Sequence, residues 1–224
     1  MKRVLLTTGD GSITIHLPDW NEQYHSKHGA IAEAEHVFIN TGLTYFNTIN
    51  SPQVISILEI GFGTGLNCFL TLLEAQKNKK LHINYTGVEA YPVEFSEIEG
   101  LNYSHLLKAS EIDFTKLHTV PWEKASVIQT NFQLTKRKQF FSEINDKEAY
   151  NLIYFDAFGA RVQPELWTVT VFETMFNALK FGGVLVTYAA KGSVRRAMQE
   201  VGFVIERLPG PPGKREMLRA TKPH

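Results

Sequence analysis

Cysteine is nearly absent: the 224 residues hold one, Cys68, which excludes an intrachain disulfide and any metal cluster built on thiolates. A lone cysteine suits a reducing cytosol, and Cys68 sits inside a helical pattern where packing is its expected role. No run approaches the ~18 apolar residues of a membrane span. The start, Met1-Lys2-Arg3-Val4-Leu5-Leu6, carries basic residues without a long apolar stretch behind them. A soluble, unexported, cytoplasmic protein is expected. Net charge is missing too. Lys plus Arg and Asp plus Glu both total 23, so any nucleic-acid contact has to come from a local patch rather than a global field. There is no internal repeat, low-complexity tract or interdomain linker, and 224 residues at 43% hydrophobic suffice for one sizeable core.

What is present centres on Leu58-Glu59-Ile60-Gly61-Phe62-Gly63-Thr64-Gly65-Leu66-Asn67. Residues 54–60 form a short β-branched run of the kind that makes a buried parallel strand, and Leu66, Phe69, Leu70 and Leu73 then recur at helical spacing. The glycines therefore sit on a strand-to-helix turn. There they permit positive φ and leave no Cβ in a ligand's way, so backbone N–H groups at the helix start can meet polar ligand groups. The spacing is G-x-G-x-G, with Leu66 where a dinucleotide fingerprint would have its last glycine. A nucleotide-type ligand other than a dinucleotide is expected.

In chain order, residues 4–7 and 12–16 around Gly9-Asp10-Gly11 predict a small β-ribbon. Residues 24–30 predict a polar loop in which His25 and His28 are solvated. Residues 31–39 follow as a helix with Ile31, Ala34 and Phe38 inward and Glu33 on the surface. Residues 81–88 predict a second strand that ends at Glu89, placed to accept hydrogen bonds from both ribose hydroxyls of a nucleoside ligand. Residues 93–117 look helical, broken near Gly100, and residues 132–138 offer a third strand with a basic end. The fourth strand, 151–155, delivers Asp156-Ala157-Phe158 at its carboxyl end, where open parallel sheets bind ligands. A helix from Gln163 to Leu179, stopped by Phe181-Gly182-Gly183, precedes a fifth strand at 184–188 and a helix at 193–201. Residues 203–207 and 216–220 are separated by too few residues for a crossover helix and must pair antiparallel.

A mainly parallel sheet closed by an antiparallel hairpin marks the fold class as α/β, resembling the class I S-adenosylmethionine-dependent methyltransferases with their Rossmann-like core. Residues 1–50 are expected to form the ribbon and a helix packed on the core, and 51–224 the methyltransferase domain. Tyr24-His25-Ser26 through Glu33, His36-Val37-Phe38, the Glu59 to Asn67 turn, Asp156-Ala157-Phe158, Pro164-Glu165-Leu166-Trp167 and Pro212-Gly213-Lys214-Arg215-Glu216-Met217 together resemble the MnmC-type methyltransferase family nearly end to end.

The resemblance implies methylation of the 5-aminomethyl amine of the wobble (2-thio)uridine in a tRNA anticodon stem-loop, with S-adenosylmethionine as donor. It implies a stand-alone methyltransferase without the FAD-dependent oxidase domain, relying on a separate enzyme for its aminomethyl substrate. It assigns Glu59, Gly61, Gly63 and Gly65 to the methionine end of the cofactor and Glu89 to its ribose. Where an acidic adenine contact is usual, Lys138-Gln139-Phe140 offers only Gln139. It makes Asp156 the catalytic carboxylate, the alternatives being a loop cap or a cofactor contact. Arg161-Val162 stand where a lysine is expected. For RNA, the candidate cationic clusters are Lys136-Arg137-Lys138, Lys191 with Arg195-Arg196, and Lys214-Arg215 with Arg219. Tyr24 and Phe158 are candidate stacking partners for uracil, and Trp167 is expected in the core. Two alternatives stand beside this reading. An aminopropyl transferase of the spermidine-synthase kind shares the fold but needs a second acidic residue missing after Asp156, and a non-catalytic RNA-binding module would not need so complete a cofactor motif.

Overall fold

A computed structural model describes residues 2–224. Gly11, at φ +83°, turns the chain between Val4–Thr7 (β1) and Ile13–Leu17 (β2), which pair antiparallel; Glu22–Gln23 (β3) adds a third short strand. The predicted helix then runs further than the sequence pattern suggests. Ala30–Ala34 (α1) continues through a π-helical stretch, Glu35–Thr44, into Tyr45–Asn50 (α2). The Thr41 hydroxyl donates to the carbonyls of His36 and Val37 inside the widened turn.

The core sheet is built from Val54–Ile60 (β4), His82–Val88 (β5), Ser126–Gln129 (β6), Phe132–Arg137 (β7), Tyr150–Phe155 (β8), Leu179–Thr187 (β9), Val204–Pro209 (β10) and Glu216–Thr221 (β11), in the order β10-β11-β9-β8-β4-β5-β7-β6. The five strands β9, β8, β4, β5 and β7 run parallel, and β11, β10 and β6 pair antiparallel at the two ends. The expected C-terminal hairpin is present. The edge strand β6 was not expected: its Ser126-Val127-Ile128-Gln129 is too short and mixed to show a period. The break at 181–183 is also absent, because the helix ends at Ala178 and β9 runs straight through Gly182 and Gly183.

The remaining helices are Leu66–Lys77 (α3), Phe95–Ile98 (α4), Tyr103–Leu106 (α5), Glu111–Thr119 (α6), Val169–Ala178 (α7) and Gly192–Glu200 (α8). The predicted helix over 93–117 is thus three short ones. Strand alternation sorts side chains to the two faces of the sheet. Ile55 and Ile57 of β4, Tyr85 of β5 and Leu152 and Tyr154 of β8 pack with the 30–50 helix, α3 and α6. Leu58, Ile60, Ile153 and Phe155 pack with α7 and α8. Continuing that alternation, Glu59 and Asp156 fall on the α3 side. No helix among the described residues is long and apolar enough to cross a membrane.

Gly42 sets how closely the 30–50 helix approaches the sheet, since a Cβ there would lie 3.0 Å from Val186 Cγ2 and 3.4 Å from Tyr154 Cε1. Gly42→Val should therefore lower the midpoint of urea denaturation by the equivalent of about 1–3 kcal/mol. An unchanged midpoint would show that the helix can slide outward at no cost.

Candidate active site

β4 pairs with β5 on one side and β8 on the other; α3 leaves β4 toward β5 over one face, and α7 leaves β8 toward β9 over the opposite face. That is the topological switch point, where a crevice opens beyond the carboxyl ends of the strands. The glycine turn fills it. Gly61, Gly63 and Gly65 adopt φ of +89°, +50° and +71°, and a Cβ on Gly61 would stand 2.8 Å from the Asp156 carbonyl oxygen. The turn's amides, however, are used by the protein: Gly61 N and Phe62 N both donate to Val88 O at 3.0 Å, and Gly65 N donates to Phe62 O at 2.8 Å. Gly63 N donates to Glu89 Oε2 at 3.0 Å, and Tyr91 N to Glu89 Oε1 at 3.0 Å. The amides of Gly61, Phe62, Gly63 and Gly65 are thus engaged within the protein, and the turn offers a Cβ-free surface and a fixed carboxylate. Each Glu89 oxygen retains acceptor capacity for a hydroxyl.

Behind the turn lies a carboxyl pair that the sequence does not reveal as a pair. Asn67, at the start of α3, donates from Nδ2 to Glu59 Oε1 at 3.0 Å and to Asp156 Oδ2 at 2.9 Å. Glu59 is fully buried, with Tyr85 beside it, and burial drives its pKa well above the usual carboxylate range. Asp156 is recessed in the cavity wall. Burial, reinforced by the Glu33 carboxylate, raises it to about 7, against the opposing pull of Asn67 and Lys214. A carboxyl whose pKa is raised in the folded state stabilises the fold least once it ionises. The penalty is absent below the unfolded value near ~4 and grows as pH rises above it. Glu59→Gln keeps the acceptor for Asn67 and removes that penalty. Its melting temperature should exceed the parent's at pH ~8, with the gap closing toward pH ~4; a gap independent of pH would contradict an ionisable Glu59 at this site.

The outer wall comes from both chain ends. Tyr24 lies over Gly63, whose added Cβ would be 3.1 Å from Tyr24 Cδ1, and its ring meets Phe158 edge-on at 5.0 Å, with Trp20 packing on Phe158 at 5.8 Å. Burial pushes the Tyr24 hydroxyl up to about 12. Lys214 forms an ion pair with Glu33 and sits 3.8 Å from the centre of the Tyr188 ring. Glu33 also accepts from Ser26 N at 2.7 Å. Glu33 is therefore buried, not on the surface as its helical position suggested, because the 24–29 and 209–214 loops close over that face. His25 is likewise buried rather than solvated. Its Nδ1 pairs with Thr14 Oγ1 at 2.8 Å, and burial lowers its pKa to about 4. His28 is exposed, and Gly213, at φ +83°, folds against its ring. Arg161, in the lysine's expected place, ties the ribbon to the site by donating to Asn21 O and Glu22 Oε2, both at 3.0 Å.

These residues enclose a cavity of about 1490 Å³ lined by Tyr24, the Gly61–Gly63 turn, Glu89, Asp156, Phe158 and Lys214, larger than the ~300–1,000 Å³ of a usual small-molecule pocket. Glu59 and Gly65 lie just behind the wall. Two expected contacts are outside it: the lining takes Lys138, Phe140, Phe141 and Ser142 but not Gln139, and Arg215 is exposed beyond the rim. Two of the three cationic clusters also come apart. Lys136 shares the buried face of β7 with Phe132 and Leu134, donates to His118 O at 2.6 Å and is lowered by burial to about 8. Arg137 is bound by Asp146, and Arg219 by Glu206 while lying on the Tyr45 ring. Trp167 is in the core, as expected, with Nε1 donating to Phe158 O at 2.7 Å.

Comparison with known proteins agrees with this architecture. A family described as S-adenosyl-L-methionine-dependent methyltransferase matches residues 116–223. The "tRNA 5-methylaminomethyl-2-thiouridine biosynthesis bifunctional protein MnmC" of Leptospira borgpetersenii is 28% identical over 212 residues, spanning 89% of this chain and 32% of that protein. The protein of the same name from Cupriavidus metallidurans is 30% identical over 244 residues, spanning 98% and 34%. The chain thus spans about a third of the length of the curated relatives it matches. Among solved structures, MnmC2 from Aquifex aeolicus superposes with a TM-score of 0.79 at 21% identity, covering 98% of this chain and 70% of that one. Spermidine synthase from Thermotoga maritima reaches 0.54 at 14%, covering 99% and 72%, a likeness of fold alone. In sequence and in fold, the chain is similar to the MnmC-like S-adenosyl-L-methionine-dependent methyltransferases.

Proposed function

We propose that the protein methylates the aminomethyl nitrogen of a wobble uridine in tRNA; its curated relatives are named for 5-methylaminomethyl-2-thiouridine biosynthesis in tRNA. The observation that carries this reading is Asp156: a carboxyl raised by burial to about 7, held at the edge of the glycine turn with one oxygen engaged by Asn67 and Oδ1 without a donor among the described residues. A nucleoside amine is largely protonated near neutrality and cannot attack until a proton leaves. Asp156 Oδ1 accepts an N–H from the ammonium, takes its proton, and turns the freed lone pair toward the cofactor side of the cavity. Bound S-adenosyl-L-methionine supplies an electrophilic sulfonium methyl, whose S–C bond breaks as the N–C bond forms. The Glu89 carboxylate would hold the ribose hydroxyls, and the Cβ-free turn would admit the methionine portion beside Glu59 and Asn67. Asp156 then returns its proton to solvent.

Tyr24 and Phe158 provide apolar ring surface for an extruded uracil, and Lys27 and Lys138, exposed at the rim, are placed to meet phosphates. The amine would reach this site from a separate activity that installs it. An aminopropyl-transferase reading gains one point from the structure, since Glu33 supplies a second carboxylate near Asp156; its pairing with Lys214 leaves it less free to hold a polyamine. Labelled S-adenosyl-L-methionine offered with aminomethyluridine tRNA, unmodified tRNA and free polyamine separates the readings. Label is expected in the first alone. Label in polyamine, or cofactor binding with no transfer to the first, would overturn the proposal.

A further inference from the structure

Asn67 uses both hydrogens of one amide on two carboxyls that serve different ligands, Glu59 toward the cofactor and Asp156 toward the amine. It is 2% exposed, and its own Oδ1 is buried without a partner among the described residues. A buried acceptor left unsatisfied is costly; rotating the amide would set Oδ1 against Asp156 Oδ2, which as a carboxylate offers no donor. The side chain is thus committed to its donors. Its place is fixed by the turn, one residue beyond Leu66 in the first turn of α3. Asp156 is fixed from the other side, where its own N donates to Ile60 O at 3.0 Å.

We propose that Asn67 is a positioning residue for methyl transfer. With one amide it clamps Oδ2 of Asp156 against Glu59, leaving Oδ1 as the oxygen that meets the amine. This rests on Asp156 as the amine's proton acceptor. A clamp that donates to the carboxylate also favours its ionised form, so the clamp and the base's proton affinity move together.

The test compares Asn67→Ala with the parent in three measurements: cofactor affinity by calorimetry, the single-turnover rate with aminomethyluridine tRNA, and the Asp156 titration followed by carbon NMR on aspartate-labelled protein without cofactor. The saturated rate is expected to be about 10²-fold lower, more than any loss of cofactor affinity from the Asn67 contact beside the turn, and the Asp156 midpoint higher. In an Asp156→Asn background, Asn67→Ala should cost nothing further. The same rate loss in both backgrounds, or an unmoved Asp156 midpoint, would overturn the clamp while leaving Asp156 as the base. Full rate in Asp156→Asn alone would remove the base, and the clamp with it. Should the alanine variant fail to fold, Asn67→Ser, which keeps a polar group too short to bridge both carboxyls, decides the matter by the same measurements.

Discussion

Asp156→Asn is expected to bind S-adenosyl-L-methionine normally and to methylate about 10²–10⁴-fold more slowly, the usual contribution of a positioned acid–base group. The near-isosteric amide can still take the place of the carboxyl beside Asn67, but it cannot take a proton from an ammonium. The pH dependence makes the result specific. The base works only when ionised, so the parent's rate should fall as pH drops through the Asp156 midpoint near 7. A bound sulfonium cation draws that midpoint downward. In the variant this limb should be gone, leaving only the titration of the amine itself. A variant that retains the parent's pH profile, or its full rate, would show that the substrate loses its proton elsewhere.

The second large effect is expected at Glu89. Its two oxygens already hold Gly63 N and Tyr91 N, which presets the carboxylate for a vicinal diol. Glu89→Ala removes charge-assisted hydrogen bonds worth about 1.5–3 kcal/mol, a loss of roughly 10- to 150-fold in cofactor affinity. It also frees the Gly63 amide at the centre of the turn. Calorimetry with S-adenosylhomocysteine and its deoxyribose analogue identifies the contact: the parent should discriminate between them, and Glu89→Ala should not. Retained discrimination would move ribose recognition to another residue.

Much of this architecture is legible in the sequence, and the parts that are not share a cause. β4, the glycine turn and α3 show themselves because a β-branched run, glycines at fixed spacing and helical apolar periodicity are local signals. The C-terminal hairpin follows from loop length alone. Glu33 and His25 were misplaced because their burial depends on the 24–29 and 209–214 loops meeting across the sheet, a contact between chain ends that no local period encodes. Lys136 is different, since the signal was available: with Phe132 and Leu134 at two-residue spacing, strand alternation already turns it inward, and a run of three cations reads as a patch only if that alternation is ignored. The Glu59–Asn67–Asp156 cluster required knowing that β4 and β8 are neighbours in parallel register, with Glu59 opposite Tyr154. Sequence shows each residue; only strand order brings them together.

Nucleoside analysis of aminomethyluridine tRNA after reaction tests the central claim most directly. After incubation with the protein and labelled S-adenosyl-L-methionine, digestion to nucleosides should recover the label in 5-methylaminomethyl-(2-thio)uridine and leave the aminomethyl nucleoside depleted by the same amount. Label on a ring atom, on a ribose or at another position in the tRNA, with the aminomethyl nucleoside intact, would contradict it.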